Sequence, residues 1–166
     1  MSSWGRPLPY PIVIADRRNH RLIEVTPDKR IAWEFPSPSL KIYRGNEDVN
    51  FSPDGRRLAV SEEANYDVHI VDYEKHALVW TYGTPDVKGH APGYLDYPDD
   101  AHRLDDGMFL NADIRNCRVL IIDPSTNRIM TEWGKPGRCR HDPPGSLAFP
   151  NGATPLSNGD ILVTEI

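Results

Sequence analysis

An all-β fold assembled from repeated four-stranded antiparallel units is what this 166-residue sequence predicts. Three observations carry that prediction: an acidic residue recurs at positions 16, 62, 113 and 165, hairpin turns fall at matching places before it, and each unit closes on an aromatic strand. Ala15-Asp16-Arg17-Arg18-Asn19-His20-Arg21-Leu22 aligns with Ser61-Glu62-Glu63-Ala64-Asn65-Tyr66-Asp67-Val68 and with Ala112-Asp113-Ile114-Arg115-Asn116-Cys117-Arg118-Val119, and a fourth copy begins at Thr164-Glu165. The acids stand 46, 51 and 52 residues apart, close to the ~40–50 residues at which one four-stranded unit repeats.

The elements of each unit follow in order. Pro53-Asp54-Gly55, Asp105-Asp106-Gly107 and Ser157-Asn158-Gly159 occupy one turn position and precede the β-rich runs Leu58-Ala59-Val60, Met108-Phe109-Leu110 and Ile161-Leu162-Val163. A turn triplet ending in Gly before a short apolar run is hairpin chemistry, so these join first strands to second strands. Third strands follow over 22–25, 68–71 and 119–122, and fourth strands end in Trp33 to Phe35, Trp80 to Tyr82 and Trp133. Four antiparallel strands make one propeller blade. The chain is therefore expected to be a single partial β-propeller domain over 1–166, with blades at about 11–35, 48–83 and 98–134 and a half blade over 150–166.

The pattern acid-x-x-Asn-x-Arg, followed by an apolar strand, a turn and an aromatic fourth strand, resembles the NHL-repeat family of β-propellers over nearly the whole chain. It is also similar to the related sugar-lactonase and arylsulfotransferase-like propellers. The resemblance implies the fold; propellers host enzymes and binding modules alike, so activity has to come from the site. Rings usually close with about four to eight blades, and bare strand edges invite pairing. The expected remedies are a longer native gene or a homodimer that completes a six-bladed ring through composite blades.

Lys and Arg number 19 against 24 Asp and Glu, a formal charge of −5. No basic excess is available for phosphate backbones or anionic lipid, so neither nucleic acid nor a membrane is an expected partner. The apolar runs are short, as in residues 12–15, against about 20 for a membrane helix. Residues 1–7 carry neither an apolar signal core nor a small-residue cleavage site, which leaves the cytoplasm as the default expectation.

Chemistry is expected at the end of the channel lined by the inner strands. There Glu47, Asp48 and Asn50 align with Asp99, Asp100 and His102 and with Asn151, Gly152 and Thr154. Strand alternation turns Asp100 and His102 to one side, and Asp48 and Asn50 likewise. Carboxylates, amides and imidazole are the types that ligate divalent cations, so Asp48, Asn50, Asp100 and His102 are candidate ligands, with Glu47, Asp99 and Asn151 at the same mouth. Imidazole favours zinc over calcium. Hydrogen bonding to backbone and solvation of the channel would account equally for these residues. At position 102 the blades differ while their frame repeats, which hints at a local task for His102.

His90 and His141 occupy equivalent places in the aligned inter-blade loops Gly83–Gly93 and Gly134–Gly145. They are candidates for catalytic base or further ligand, although loop repetition by itself explains them. The repeated acid and Asn are expected to cap the loop between second and third strands. His20, His69 and His76 are expected to be surface or packing residues. Cys117 and Cys139 both fall on the loop-rich top face, where a disulfide, metal ligation or two free thiols are all open.

Two functions follow as expectations. The first is a metal-dependent hydrolase acting on an ester, lactone or phosphotriester bond of a small-molecule substrate, as the resemblance to propeller lactonases and organophosphate-cleaving esterases implies. The lactonase Glu-Gly-Pro calcium motif is absent. The second is a noncatalytic NHL-like module that binds a protein or peptide on its top face.

Overall fold

The computed structural model describes residues 8–37, 42–143 and 145–166, so the leader reading over residues 1–7 and Pro144 of the aligned loop lie outside the described residues. Thirteen strands form four antiparallel sheets among those residues. Blade one holds β1 (Ile12–Asp16), β2 (Arg21–Val25) and β3 (Ile31–Phe35). Blade two holds β4 (Asn46–Phe51), β5 (Arg57–Glu62), β6 (Asp67–Asp72) and β7 (Ala77–Gly83). Blade three holds β8 (Pro98–Arg103), β9 (Phe109–Asp113), β10 (Arg118–Asp123) and β11 (Arg128–Gly134). The half blade holds β12 (Pro150–Pro155) and β13 (Ile161–Glu165). Within each sheet the strands are neighbours in chain order, the meander that short hairpin turns impose. Among the described residues the helices are three 3₁₀ turns, Arg17–Asn19, Glu63–Asn65 and Ile114–Asn116.

Each 3₁₀ turn ends on a left-handed residue, His20, Tyr66 or Cys117. The backbone reversal there lets the third strand return beside the second. The fourth strand then ends against that turn: Gly83 and Gly134 have φ of +109° and +88°, and a Cβ on either would collide with the Tyr66 or Cys117 carbonyl oxygen. Only glycine permits both the dihedral and the approach.

The core lies between blades because alternate residues of each strand face opposite neighbours. Leu58 and Val60 of β5 pack with Leu22, Trp33, Phe35 and Tyr43 on the blade-one side. Ala59 turns the other way, into a cluster with Val68, Ile70, Tyr82, Leu95, Phe109 and Leu120. Leu110 and Ala112 of β9 reach Leu147 and Ala153 of the half blade.

Contrary to the expectation from sequence, the repeated acid does not cap the 3₁₀ turn that follows it: Asp16, Glu62 and Asp113 make no side-chain cap hydrogen bond, and the acid reaches outward instead. Asp113 accepts the Asp96 N–H at 2.8 Å, Glu165 accepts that of Ala148 at 2.6 Å, and Glu62 accepts those of Arg44 at 2.8 Å and of Gly45. In three blades it thus fastens the segment that leads into the inner strand. Asn19 and Asn116 bond the acid of their own blades, at 2.8 Å each, whereas Asn65 reaches Asp67 instead.

Candidate functional site

The inner strands β4, β8 and β12 each carry a register shift at the same place, between Asn46 and Val49, between Asp99 and Ala101, and between Pro150 and Gly152. A bulge inserts an extra residue and re-aims its neighbours. Simple alternation, expected for this stretch, therefore fails at Asp99 and Asp100: both acids join the polar cluster at the strand mouth.

Asp100 is the centre of that cluster, and three blades reach it. Asn50 donates to its Oδ1 at 3.4 Å from blade two, and His102 Nε2 lies 2.8 Å from the same oxygen within blade three, without hydrogen-bond alignment. Thr154 Oγ1 (3.4 Å) and the Ala153 N–H (2.8 Å) bond Oδ2 from the half blade. Asn50, His102 and Thr154 are the aligned position at which the blades differ, and their side chains converge on one carboxylate. Gly152, aligned with Asp48 and Asp100, has little room for a side chain: a Cβ would stand 2.5 Å from Thr164 Oγ1 and 3.6 Å from Asp100 Oδ2.

Two further carboxyls, those of Asp48 and Asp99, adjoin Asp100. The Asp100 N–H donates to Asp48 Oδ2 at 3.1 Å and to Asp99 Oδ1 at 3.0 Å, while Asn151 donates to Asp99 Oδ2. Burial, then the hydrogen bond and negative charge of Asp48, push Asp99 far above the usual carboxylate range. Asp100 moves the other way. Its burial would raise it, but His102, the Ala153 N–H and the Thr154 hydroxyl together hold it below its ordinary value. Two adjacent acids in one patch are thus driven apart, which separates a proton donor from an anion.

Glu47, at the edge of this patch, pairs with Arg17 of blade one, which also pairs with Glu63. Arg17 and Glu63 carried no sequence signal beyond their neighbourhood to the repeated acid. Thr154 could be found by aligning it with His102.

His90 and His141 stand elsewhere. The His90 ring is exposed, and its carbonyl accepts a hydrogen bond from Arg118 at 3.0 Å. His141 is exposed and its Nδ1 lies 2.5 Å from Glu165 Oε2. Cys117 and Cys139 are joined by a disulfide with Cα atoms 5.2 Å apart. It ties the 3₁₀ turn of blade three to the loop that carries His141.

The donor set is largely committed to protein hydrogen bonds. Both oxygens of Asp99 and both of Asp100 already face protein hydrogen-bond donors, and among the described residues no three His, Cys, Asp or Glu side chains converge as a ligand set. The cluster is a hydrogen-bonded network of carboxyl, amide and imidazole groups.

No protein-family model matches the chain, and no curated protein matches it. Solved structures do. A streptogramin B lyase is 15% identical with a TM-score of 0.64, covering 94% of this chain and 45% of that one. The WD40 β-propeller domain of Doa1 is 15% identical with a TM-score of 0.62 over 93% and 43%. Virginiamycin B lyase from Staphylococcus aureus is 16% identical with a TM-score of 0.57 over 98% and 54%. The chain spans about half the length of these structures. Likeness at such identity establishes fold alone, and the fold is a β-propeller, of which the described residues form two four-stranded blades, a three-stranded blade and a half blade.

Proposed function

We propose that the chain contributes the axial site of a propeller enzyme that hydrolyses an ester, lactone or phosphotriester bond in a small-molecule substrate by general acid–base catalysis. The observation that supports it is the pair of acids driven apart at one mouth, Asp99 upward and Asp100 downward, with His102 beside Asp100. In this reading the negative charge of Asp100 lies beside His102. With Nε2 turned to Asp100, Nδ1 takes the proton of an attacking water, whose oxygen bonds to the carbonyl carbon or phosphorus. Asp99 gives its proton to the leaving oxygen as the scissile bond breaks, and the proton held by His102 returns to Asp99 through solvent. Within the propellers, the acid-x-x-Asn-x-Arg frame of blades one and three supports an NHL-like reading. Two of the similar structures are named as lyases, which supports bond-cleaving chemistry on this fold.

A panel of esters, lactones and phosphotriesters, run with and without chelator on the protein and on His102→Ala, tests the proposal. Turnover that survives chelation and is lost in the variant supports it; loss on chelation would return the expected zinc or calcium ion to the mechanism. No turnover on any substrate would favour peptide binding on the top face. There Arg115 sits 3.5 Å above the Tyr97 ring and Tyr66 meets Tyr97 edge-on at 5.6 Å, a half-exposed aromatic patch suited to side-chain recognition.

A further inference from the structure

Blade two breaks the frame that blades one and three keep. In those blades an Arg follows the acid by five residues and bonds it: Arg21 Nε meets Asp16, and Arg118 Nε meets Asp113, at 2.8 Å each. At the matching place blade two has Asp67, so a second acid stands where a cation should. Where blades one and three have Ile23 and Leu120, it has His69. Glu62, Asp67 and His69 are 0%, 1% and 3% exposed, and Tyr43 (2%) lies edge-on to the His69 ring at 5.5 Å.

The polar atoms of this pocket are incompletely paired. His69 Nε2 is 3.1 Å from Asp67 Oδ1 without hydrogen-bond alignment, and His69 Nδ1, Tyr43 Oη and Asn46 Oδ1 are buried with no hydrogen-bond partner. Unpaired buried groups are costly, and two buried acids without a guanidinium more so. The titratable groups facing the pocket are Tyr43 from the segment before β4, Glu62 from β5, and Asp67 and His69 from β6; β7 sets Thr81 opposite His69. Nearby cations are engaged elsewhere, Arg44 with Asp86, Arg21 with Asp16 and Glu34, and Arg17 with Glu47 and Glu63.

We propose that Glu62, Asp67 and His69 form a buried, proton-operated latch that sets how firmly blade two holds the segment leading into β4. Ionised, Glu62 has two acceptor oxygens, and they take the Arg44 and Gly45 N–H groups. Protonated, it keeps one acceptor and gains an O–H donor, for which Asn46 Oδ1 and Tyr43 Oη are idle acceptors. One of the two backbone N–H groups then loses its partner. The released segment runs directly into Glu47, Asp48 and Asn50, so protonation at blade two loosens one wall of the axial mouth. Burial, chiefly, with Asp67 adding to it, lifts Glu62 to about 7, which puts the change within the neutral range. The latch does not depend on the chemistry proposed for the mouth.

The test is amide hydrogen exchange at residues 42–50 of the full chain, read by NMR and corrected for the intrinsic pH dependence of exchange. Between about pH 8 and about pH 6, on either side of the Glu62 value, protection at Arg44 or Gly45 is expected to fall by about tenfold, the ratio one pKa unit carries. Glu62→Gln, which cannot ionise, should show the low protection at every pH. Asp67→Arg, which restores the frame of blades one and three, should move the transition to lower pH; Asp67→Asn should move it the same way if the Arg variant fails to fold. A flat profile in the wild-type chain, or a transition that persists in Glu62→Gln, overturns the latch.

Discussion

Replacing Arg118 by Met is expected to be among the most damaging single changes in this chain, and the size of the loss follows from its contacts. The side chain is 2% exposed. Its Nε donates to Asp113 at 2.8 Å, Nη1 to the His90 carbonyl at 3.0 Å and to Glu132 at 3.4 Å, and Nη2 to the Tyr94 carbonyl at 3.2 Å. Met roughly fills the volume but leaves Asp113 a buried charge without its partner, worth about 3–5 kcal/mol. Two loop carbonyls also lose donors, at about 1 kcal/mol each. Together these approach the total stability of many domains, ~5–15 kcal/mol. Arg21 has the same role in blade one but is 28% exposed, so Arg21→Met should cost only about 1 kcal/mol.

The loss should depend on pH in a definite direction. Burial already lifts Asp113 to about 6, with Arg118, the Asp96 N–H and Asn116 pulling it back. Its folded value lies above its unfolded one, so its contribution is present at low pH and is lost as pH rises through the folded value. Without Arg118 the folded value climbs further. The penalty measured by urea unfolding should then be larger at about pH 8 than at about pH 5, by roughly 1.4 kcal/mol for each unit of added displacement. The double variant Asp113→Asn/Arg118→Met should regain part of the loss. A penalty below about 1 kcal/mol at neutral pH, or one equal at both pH values, would refute the account of Arg118 as the buried counter-ion that pins the loop between blades two and three.

Other outcomes follow from the same geometry. Asp99→Asn should lower turnover on any accepted substrate by about 10²–10⁴-fold with little change in urea midpoint; activity of the unmodified chain should fall as pH rises past neutrality, since an acid displaced upward is spent by deprotonation, and a rate that rises there would exclude Asp99 as the donor. Removing the disulfide as Cys117→Ser/Cys139→Ser opens a link spanning 22 residues and should cost about 3 kcal/mol on the chain-entropy account, read as a lowered midpoint that reductant reproduces in the wild-type chain. β1 and β13 each have one edge unpaired among the described strands, with Ile12, Ile14 and Leu162 exposed beside them; a ring-closing homodimer is expected in light scattering, and a well-behaved monomer at micromolar concentration would refute it.

The repeat was legible in the sequence because each blade needs the same backbone reversals, and few residue types satisfy them. Turn triplets ending in Gly55, Gly107 and Gly159, a recurring acid and an aromatic fourth strand therefore announce the blade wherever it falls. The alignment they impose also marked Asn50, His102 and Thr154 as one row, the row that meets at Asp100. Tertiary structure alone decided the rest. A bulge in each inner strand broke the alternation that the sequence implies, because register is a property of two strands rather than one, and so Asp99 joined Asp100. The opposite displacements of those two acids depend on how many donors and like charges surround each, and both are set by packing between blades. Asp67 reads as an ordinary polar substitution until the fold buries it beside Glu62 in the place of a guanidinium. Local sequence dictates turns and strand faces because those are short-range steric choices; burial, pairing and protonation are sums over residues about fifty positions apart, and only the packing of blade against blade brings those residues together.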